Sequence, residues 1–291
     1  MQDDINQSDT MPAGDGMSRR DVMMLSAAAV TAAGAWPLEA AAMADVKERG
    51  VDIKTPDGTC DAILVSPAKG KSPAVILYPD AMGLRAVKVA MGRRLAAQGY
   101  AVLVINPFYR ARRAPVFGPN FSFTNPDDRA ELGKLREPLT HDAVTRDAHA
   151  LVAFLDAQPE VDTKKKIGAV GFCMGGSMTI RAAAAEPKRV GACASFHGGQ
   201  LVTEEATSPH KLIPGTQASY HIAIAADDDA KEPNSKTVLT EVLTTAKRPF
   251  TLEVYPGSKH GWMVPESAVY DQPQAERGWV AMTKLYKPAL V

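Results

Sequence analysis

Cysteine is scarce: Cys60, Cys173 and Cys193 are the three in a chain of 291 residues. If Cys173 stays free for chemistry, at most one bridge remains, Cys60 to Cys193, and spacing alone does not say whether those two are close enough to pair. Both read as small buried hydrophobes. An excess of charge is also missing, since Lys+Arg and Asp+Glu are 33 each. Nothing in that balance calls for nucleic acid or an anionic membrane surface. The histidines at 141, 149, 197, 210, 221 and 260 lack zinc-ligand spacing with the cysteines. There is no dinucleotide fingerprint, Walker loop, internal repeat or interdomain linker. What is present is an ordinary globular balance, 45% hydrophobic and 23% charged, enough for one large domain with a sizeable core.

Residues 1–44 read as a leader outside that domain. Arg19 and Arg20 precede an Ala-rich apolar stretch over 26–36, followed by Pro37 and by the small-x-small run Ala42-Met43-Ala44. The pattern resembles a twin-arginine export signal. The apolar stretch is too short to span a bilayer comfortably. Cleavage after Ala44 leaves a mature protein that starts at Asp45, is periplasmic or secreted, needs no membrane and is a monomer. Its partner before cleavage is the twin-arginine export machinery.

From residue 51 strands and helices alternate. Short strands are expected over 51–55 and 60–66, around the turn Pro56-Asp57-Gly58. Continuous apolar runs at 74–78 and 100–105 fit strands buried on both faces. Helical spacing covers 87–98 and 142–157, and 108–138 is irregular and too long for a connection without function or short helices of its own. Further strands are expected over 167–172, 190–196, 220–226 and 250–255, with helices over 235–246 and most of 267–285. This alternation predicts a mostly parallel sheet with helices on both faces, with ligands at the carboxyl ends of the strands.

One stretch organises the rest. The apolar run Ile167 to Phe172 ends in Gly171-Phe172-Cys173-Met174-Gly175-Gly176, and a helix-like stretch begins at Ser177. This is the nucleophile-elbow pattern, Gly-x-nucleophile-x-Gly, with sulfur in place of the usual serine oxygen. Gly171 and Gly175 give room for a turn that a Cβ would crowd. Cys173 is placed at the apex, above a helix N-terminus that favours negative charge.

Two later strands end in matching chemistry. The strand over 220–226 runs into Asp227-Asp228-Asp229, and the strand over 250–255 into Pro256-Gly257-Ser258-Lys259-His260. Nucleophile, acid and histidine in that order, each after a strand, is the order of the α/β-hydrolase triads. An Asp at a strand end can hold the imidazole tautomer. Asp228 is the first choice and Asp229 its rival. His197-Gly198-Gly199 follows another strand and has two readings, a segment that lines the pocket or, favoured over it, a turn with a surface histidine.

With these residues the chain resembles the dienelactone hydrolase family from about residue 51 to its C-terminus. Gly171-Phe172-Cys173-Met174-Gly175-Gly176 matches the family's cysteine elbow, and Lys259-His260-Gly261-Trp262 its histidine loop. Pro79-Asp80-Ala81-Met82-Gly83 is similar to the segment that carries an acid and an oxyanion amide. Ala111-Arg112-Arg113-Ala114-Pro115 is similar to its arginine segment. The resemblance implies a single-domain α/β-hydrolase over 45–291 that cleaves a lactone or small ester without a cofactor or metal. It implies Cys173 as nucleophile, His260 as base, and the Met174 and Ala81 amides as oxyanion hole. It implies Asp80 as modulator of the cysteine and Arg112 as the contact for a substrate carboxylate.

The chain departs from the family twice. The founding enzymes carry Glu where Asp80 stands, one methylene longer. They also carry a second arginine four residues after the histidine, where this chain has Val264. With half of the carboxylate clamp replaced, and with Trp262, Met263 and Val264 offering apolar contact, a neutral substrate is expected. Alternative readings are a general carboxylesterase or thioesterase, and a non-catalytic, redox-reactive exported thiol protein.

Overall fold

The computed structural model describes residues 45–118 and 120–290; the leader expected over 1–44 lies outside them. The strands are β1 (Val46–Thr55), β2 (Gly58–Pro67), β3 (Ala74–Tyr78), β4 (Ala101–Ile105), β5 (Ile167–Phe172), β6 (Val190–Phe196), β7 (Ser219–Ala225) and β8 (Phe250–Tyr255). They form one eight-stranded sheet in the order β1-β2-β4-β3-β5-β6-β7-β8. β2 is antiparallel to both β1 and β4, and the remaining neighbours are parallel.

The helices are α1 (Ala86–Ala97), α2 (Pro126–Arg136), α3 (His141–Asp156), α4 (Met174–Ala185), α5 (Pro209–Leu212), α6 (Ala226–Lys231), α7 (Ser235–Thr245) and α8 (Gln272–Ala289). The pleat sends alternate side chains to opposite faces. Ile76, Leu103 and Ala169 pack with Leu151 of α3, Met178 of α4 and Leu239 of α7 on one face. Val75, Leu77, Val102, Val104 and Val170 pack with Met91 and Leu95 of α1 and with Trp279 and Tyr286 of α8 on the other. Two covered faces explain why the central strands read as unbroken apolar runs. Each fully buried Val, Leu or Ile contributes about 1.5–3 kcal/mol.

Local chemistry sets the element ends. The Thr140 hydroxyl accepts from the Ala143 N–H at 3.2 Å and starts α3. Asn125 accepts from the Asp127 N–H at 2.9 Å, with Pro126 in the first turn of α2. Asp271 accepts from the Gln274 N–H at 3.1 Å and starts α8. Helix is therefore absent from 267–271, against the sequence expectation. β1 begins at Val46 rather than 51, because its half-exposed alternation hides a strand that pairs with β2 as far as Pro67. The irregular segment 108–138 does contain a helix, α2. Its start is pinned by Asp61, a buried carboxylate that accepts from Asn106 Nδ2 and from the Ala114 N–H, both at 2.8 Å.

Candidate active site

Five strand ends converge on one spot. β3 leads to Asp80 and Ala81, β5 to Cys173, β6 to His197, β7 to Asp228, and β8 to the loop that holds His260. Cys173 sits at φ 54°, ψ −120°, a left-handed conformation that costs a non-glycine residue about 1–3 kcal/mol. The glycines around it are sterically required. A Cβ on Gly171 would lie 2.0 Å from the Gly175 carbonyl oxygen, and one on Gly175 would lie 2.3 Å from that of Tyr78. The Cys173 N–H is shared between the Phe196 carbonyl and His197 Nδ1, each at 3.1 Å. Its carbonyl accepts from the N–H groups of Gly176 at 3.0 Å and Gly199 at 3.2 Å. The turn is thus tied to β6 as well as to its own helix.

His260 Nδ1 lies 2.7 Å from Asp228 Oδ2. The backbone N–H of His260 donates to Asp227 Oδ1 at 2.8 Å, so two consecutive acids of α6 fasten the histidine loop. Asp229 turns away and accepts from Lys236 at 2.7 Å. The three acids therefore lie in a helical first turn, not in the loop that an Asp run suggests; two of them meet His260 and the third meets Lys236. Burial pulls the His260 pKa down. Its hydrogen bonds with Asp228 and with the Cys173 thiol outweigh that and raise it to about 10. The imidazolium form therefore predominates at neutral pH.

Met174 is the first residue of α4, and its N–H has no intrahelical acceptor. The Ala81 N–H has no acceptor among the described residues. Around Cys173 and His260 opens a cavity of about 490 Å³, walled by Ala81, Met82, Phe121, Phe123, Val264 and Ala268. Its charged lining is paired off. Arg85 donates to both oxygens of Asp80 at 2.7 and 3.0 Å and also bonds Glu266. Lys88, wholly buried, bonds Asp80 at 2.8 Å. Among the described residues no cluster of three His, Cys, Asp or Glu could hold a metal ion.

The model of the dienelactone hydrolase family matches residues 60–290. The chain belongs to the dienelactone hydrolase family. It is 30% identical over 136 residues to a carboxymethylenebutenolidase of Pseudomonas putida, a match covering 46% of this chain and 55% of that protein. The chain thus spans about half the length of that curated relative. A putative carboxymethylenebutenolidase of Methylorubrum extorquens is 25% identical over 280 residues, 93% of this chain and 92% of the relative. Among solved structures, a dienelactone hydrolase-like promiscuous phosphotriesterase from metagenomic libraries aligns with a TM-score of 0.72 at 24% identity, over 85% of this chain and all (100%) of that one. A putative dienelactone hydrolase from Klebsiella pneumoniae aligns at 0.71 and 21%, over 83% of this chain and 98% of that one. These likenesses show the α/β-hydrolase fold.

Several residues of this dienelactone hydrolase family member lie elsewhere than the sequence suggests. Arg112 is not part of the cavity wall: its guanidinium bonds the Val116 carbonyl at 3.1 Å and Glu131 of α2. Arg110 is held by Asp57 and Asp147, and Arg113 by Asp52. Asp80 lines the cavity, but its carboxylate faces Arg85 and Lys88 rather than the cysteine. Burial pushes its pKa up, and the Lys88 and Arg85 charges more than reverse this, keeping it well below the usual carboxylate range. Val264 does line the cavity, whereas Trp262 and Met263 are core residues packed beneath it against Phe196 and Gly278. Cys60 and Cys193 are free and buried, as small hydrophobes. His197 is buried and lines the cavity, the less favoured of its two sequence readings. Lys88 carried no sequence signal except charge inside an apolar helix, Arg85 charge just before it, and Phe121 and Phe123 aromatics inside a long loop.

The raised His260 pKa has a consequence for stability. Because the folded-state value lies above the ordinary 6.5, the native partners favour the protonated ring. That contribution is complete below about pH 6.5 and is lost as pH rises through about 10. Melting temperatures of the wild type and of His260→Gln, taken across this range, should differ most at the acid end and converge towards pH 10. A difference that widens with pH would contradict the arrangement.

Proposed function

We propose that the chain hydrolyses a lactone or small carboxylic ester through a Cys173-His260-Asp228 triad and an acyl-cysteine intermediate. The observation that carries this is the histidine: His260 is bonded to Asp228 at 2.7 Å and faces the same cavity as Cys173, at the carboxyl ends of three strands. Cys173 supplies the sulfur nucleophile, with His260 as its acid–base partner. Attack on the ester carbonyl gives a tetrahedral oxyanion. The N–H groups of Ala81 and Met174, both without other acceptors, stabilise it in this reading. Removing one such donor typically costs about 10²–10³ in rate. His260 then protonates the leaving oxygen, and in the second half it takes a proton from water, which releases the acid from Cys173. Asp228 keeps the ring in the tautomer that serves both halves.

The apolar cavity wall, with Arg85 already paired to Asp80 and Glu266, favours a neutral acyl or alkyl group over an anionic one. The experiment is steady-state hydrolysis of neutral aryl esters and lactones. Cys173→Ala should abolish turnover. Asp228→Asn should lower kcat by roughly 10³- to 10⁴-fold, by analogy with the serine-protease triad. Asp229→Asn should do far less, because Asp229 faces Lys236. Full activity in Cys173→Ala would overturn the reading.

The hydrolase is also proposed to be exported through the twin-arginine route and to act outside the cytoplasm. The motive is the Arg19-Arg20 leader pattern, together with a β1 that begins at Val46, one residue after the expected new N-terminus Asp45. Replacing both arginines by lysine should leave full-length precursor in the cytoplasm, read by fractionation. Exported protein that keeps residue 2 would contradict cleavage.

A further inference from the structure

One buried group in the cavity wall has no role in the proposed mechanism. His197 follows β6 in a left-handed turn, φ 40°, with its own N–H donating to the Ala223 carbonyl at 2.8 Å. The turn sets the ring against the nucleophile, where Nδ1 accepts from the Cys173 N–H at 3.1 Å. A nitrogen that accepts carries no proton, so the neutral ring holds its proton on Nε2. The ring is kept neutral: burial lowers its pKa well below the usual range, the charges of His260 and Lys88 add to this, and Asp80 opposes it. His197 is 1% exposed, lines the cavity, and its Nε2 has no hydrogen-bond partner. The rings around it are Phe172 and Trp262, at centroid distances of 6.2 and 6.4 Å, and the edge of His260 at 4.9 Å. Phe172 and Trp262 offer no acceptor, and His260 is an imidazolium. An acceptor for this N–H is open to be supplied by what enters the cavity.

We propose that the His197 Nε2–H donates a hydrogen bond to the oxygen that exchanges its proton with His260. In acylation the sulfur–carbon bond forms and the carbon–oxygen bond breaks. The electron pair stays on the leaving oxygen, which takes the proton of His260. In deacylation a water oxygen occupies the same place, gives a proton to His260 and bonds to the acyl carbon, while the carbon–sulfur pair returns to Cys173. Adjacent imidazoles suit this division: the charged ring transfers the proton, and the neutral one, which cannot take a proton there, holds the oxygen. His197 is then a catalytic residue that touches the substrate, and its role rests on the hydrolase reading above.

Two substitutions separate the ring's two nitrogens. His197→Asn keeps an acceptor near the Nδ1 position for the Cys173 N–H and has no donor at Nε2. His197→Gln keeps a donor near Nε2 and loses the acceptor. Each is assayed on an alkyl ester and a nitrophenyl ester of the same acid, and for Cys173 alkylation by iodoacetamide, which has no leaving oxygen. His197→Asn should lose about 10- to 100-fold in kcat/KM on the alkyl ester. It should lose much less on the nitrophenyl ester, whose leaving group needs little help, and its alkylation rate should hardly change. His197→Gln should be the more active of the two on the alkyl ester.

If His197→Gln is the worse variant, or if both lose equally on the two esters, the ring only supports the Cys173 amide and the proposal falls. Should a variant not fold, ¹⁵N shifts of the wild-type histidine decide, because a protonated Nδ1 overturns the proposal and a protonated Nε2 supports it. Wild-type turnover that needs Cys173 but ignores His197 defeats this proposal alone. The absence of any Cys173-dependent turnover defeats the hydrolase reading and this proposal with it.

Discussion

The left-handed backbone at Cys173 is the constraint on which the site depends. A residue with a Cβ does not hold φ 54° unless its surroundings leave no other course. Here the surroundings are glycines that let α4 press against β3, the shared acceptors at the end of β6, and two N–H groups on the Cys173 carbonyl. The same turn lifts the thiol above the sheet and starts α4 at Met174, so that one strained residue sets the sulfur, the free Met174 N–H and the helix dipole together. Relaxing it would move all three.

Charge beneath the site is handled by pairing. Asp80, Arg85 and Lys88 form a compact group under the Ala81 loop, with the Lys88 ammonium 4.3 Å from the centre of the Phe172 ring. Burial pulls the Lys88 pKa down and Asp80 resists, leaving it at about 8. Removing one member of such a group would strand the others in a low-dielectric setting, which is usually far more damaging than the pairing is favourable. Asp80 also accepts from the Met82 N–H at 3.0 Å. The pairing thus shapes the loop that presents the Ala81 amide, and it leaves no unpaired cation of this group in the cavity beside Cys173.

Much of this was legible in the sequence, for identifiable reasons. Apolar runs such as Ala74–Tyr78 announce strands covered on both faces, and Gly171 and Gly175 announce a turn with no room for a Cβ. His260 and Asp228 were visible because each ends a strand in the right order. Register among three adjacent acids was not, because it depends on where β7 stops and α6 begins. Arg112 reads as a cavity residue only if α2, with Glu131, is ignored. The sequence left His197 open between a pocket-lining residue and a surface turn, because its burial comes from Trp262 and Phe172, far from it in sequence. Arg85 and Lys88 needed the helix to place them under Asp80.

The central claim is that the sulfur of Cys173 carries the acyl group. It is tested most directly by mixing the protein with a slowly turning-over ester, quenching in acid and locating the added mass by peptide mass spectrometry. The account predicts an acyl increment on the peptide containing Cys173, which disappears on the timescale of turnover. An acyl group found on any other residue, with Cys173 unmodified, would contradict it.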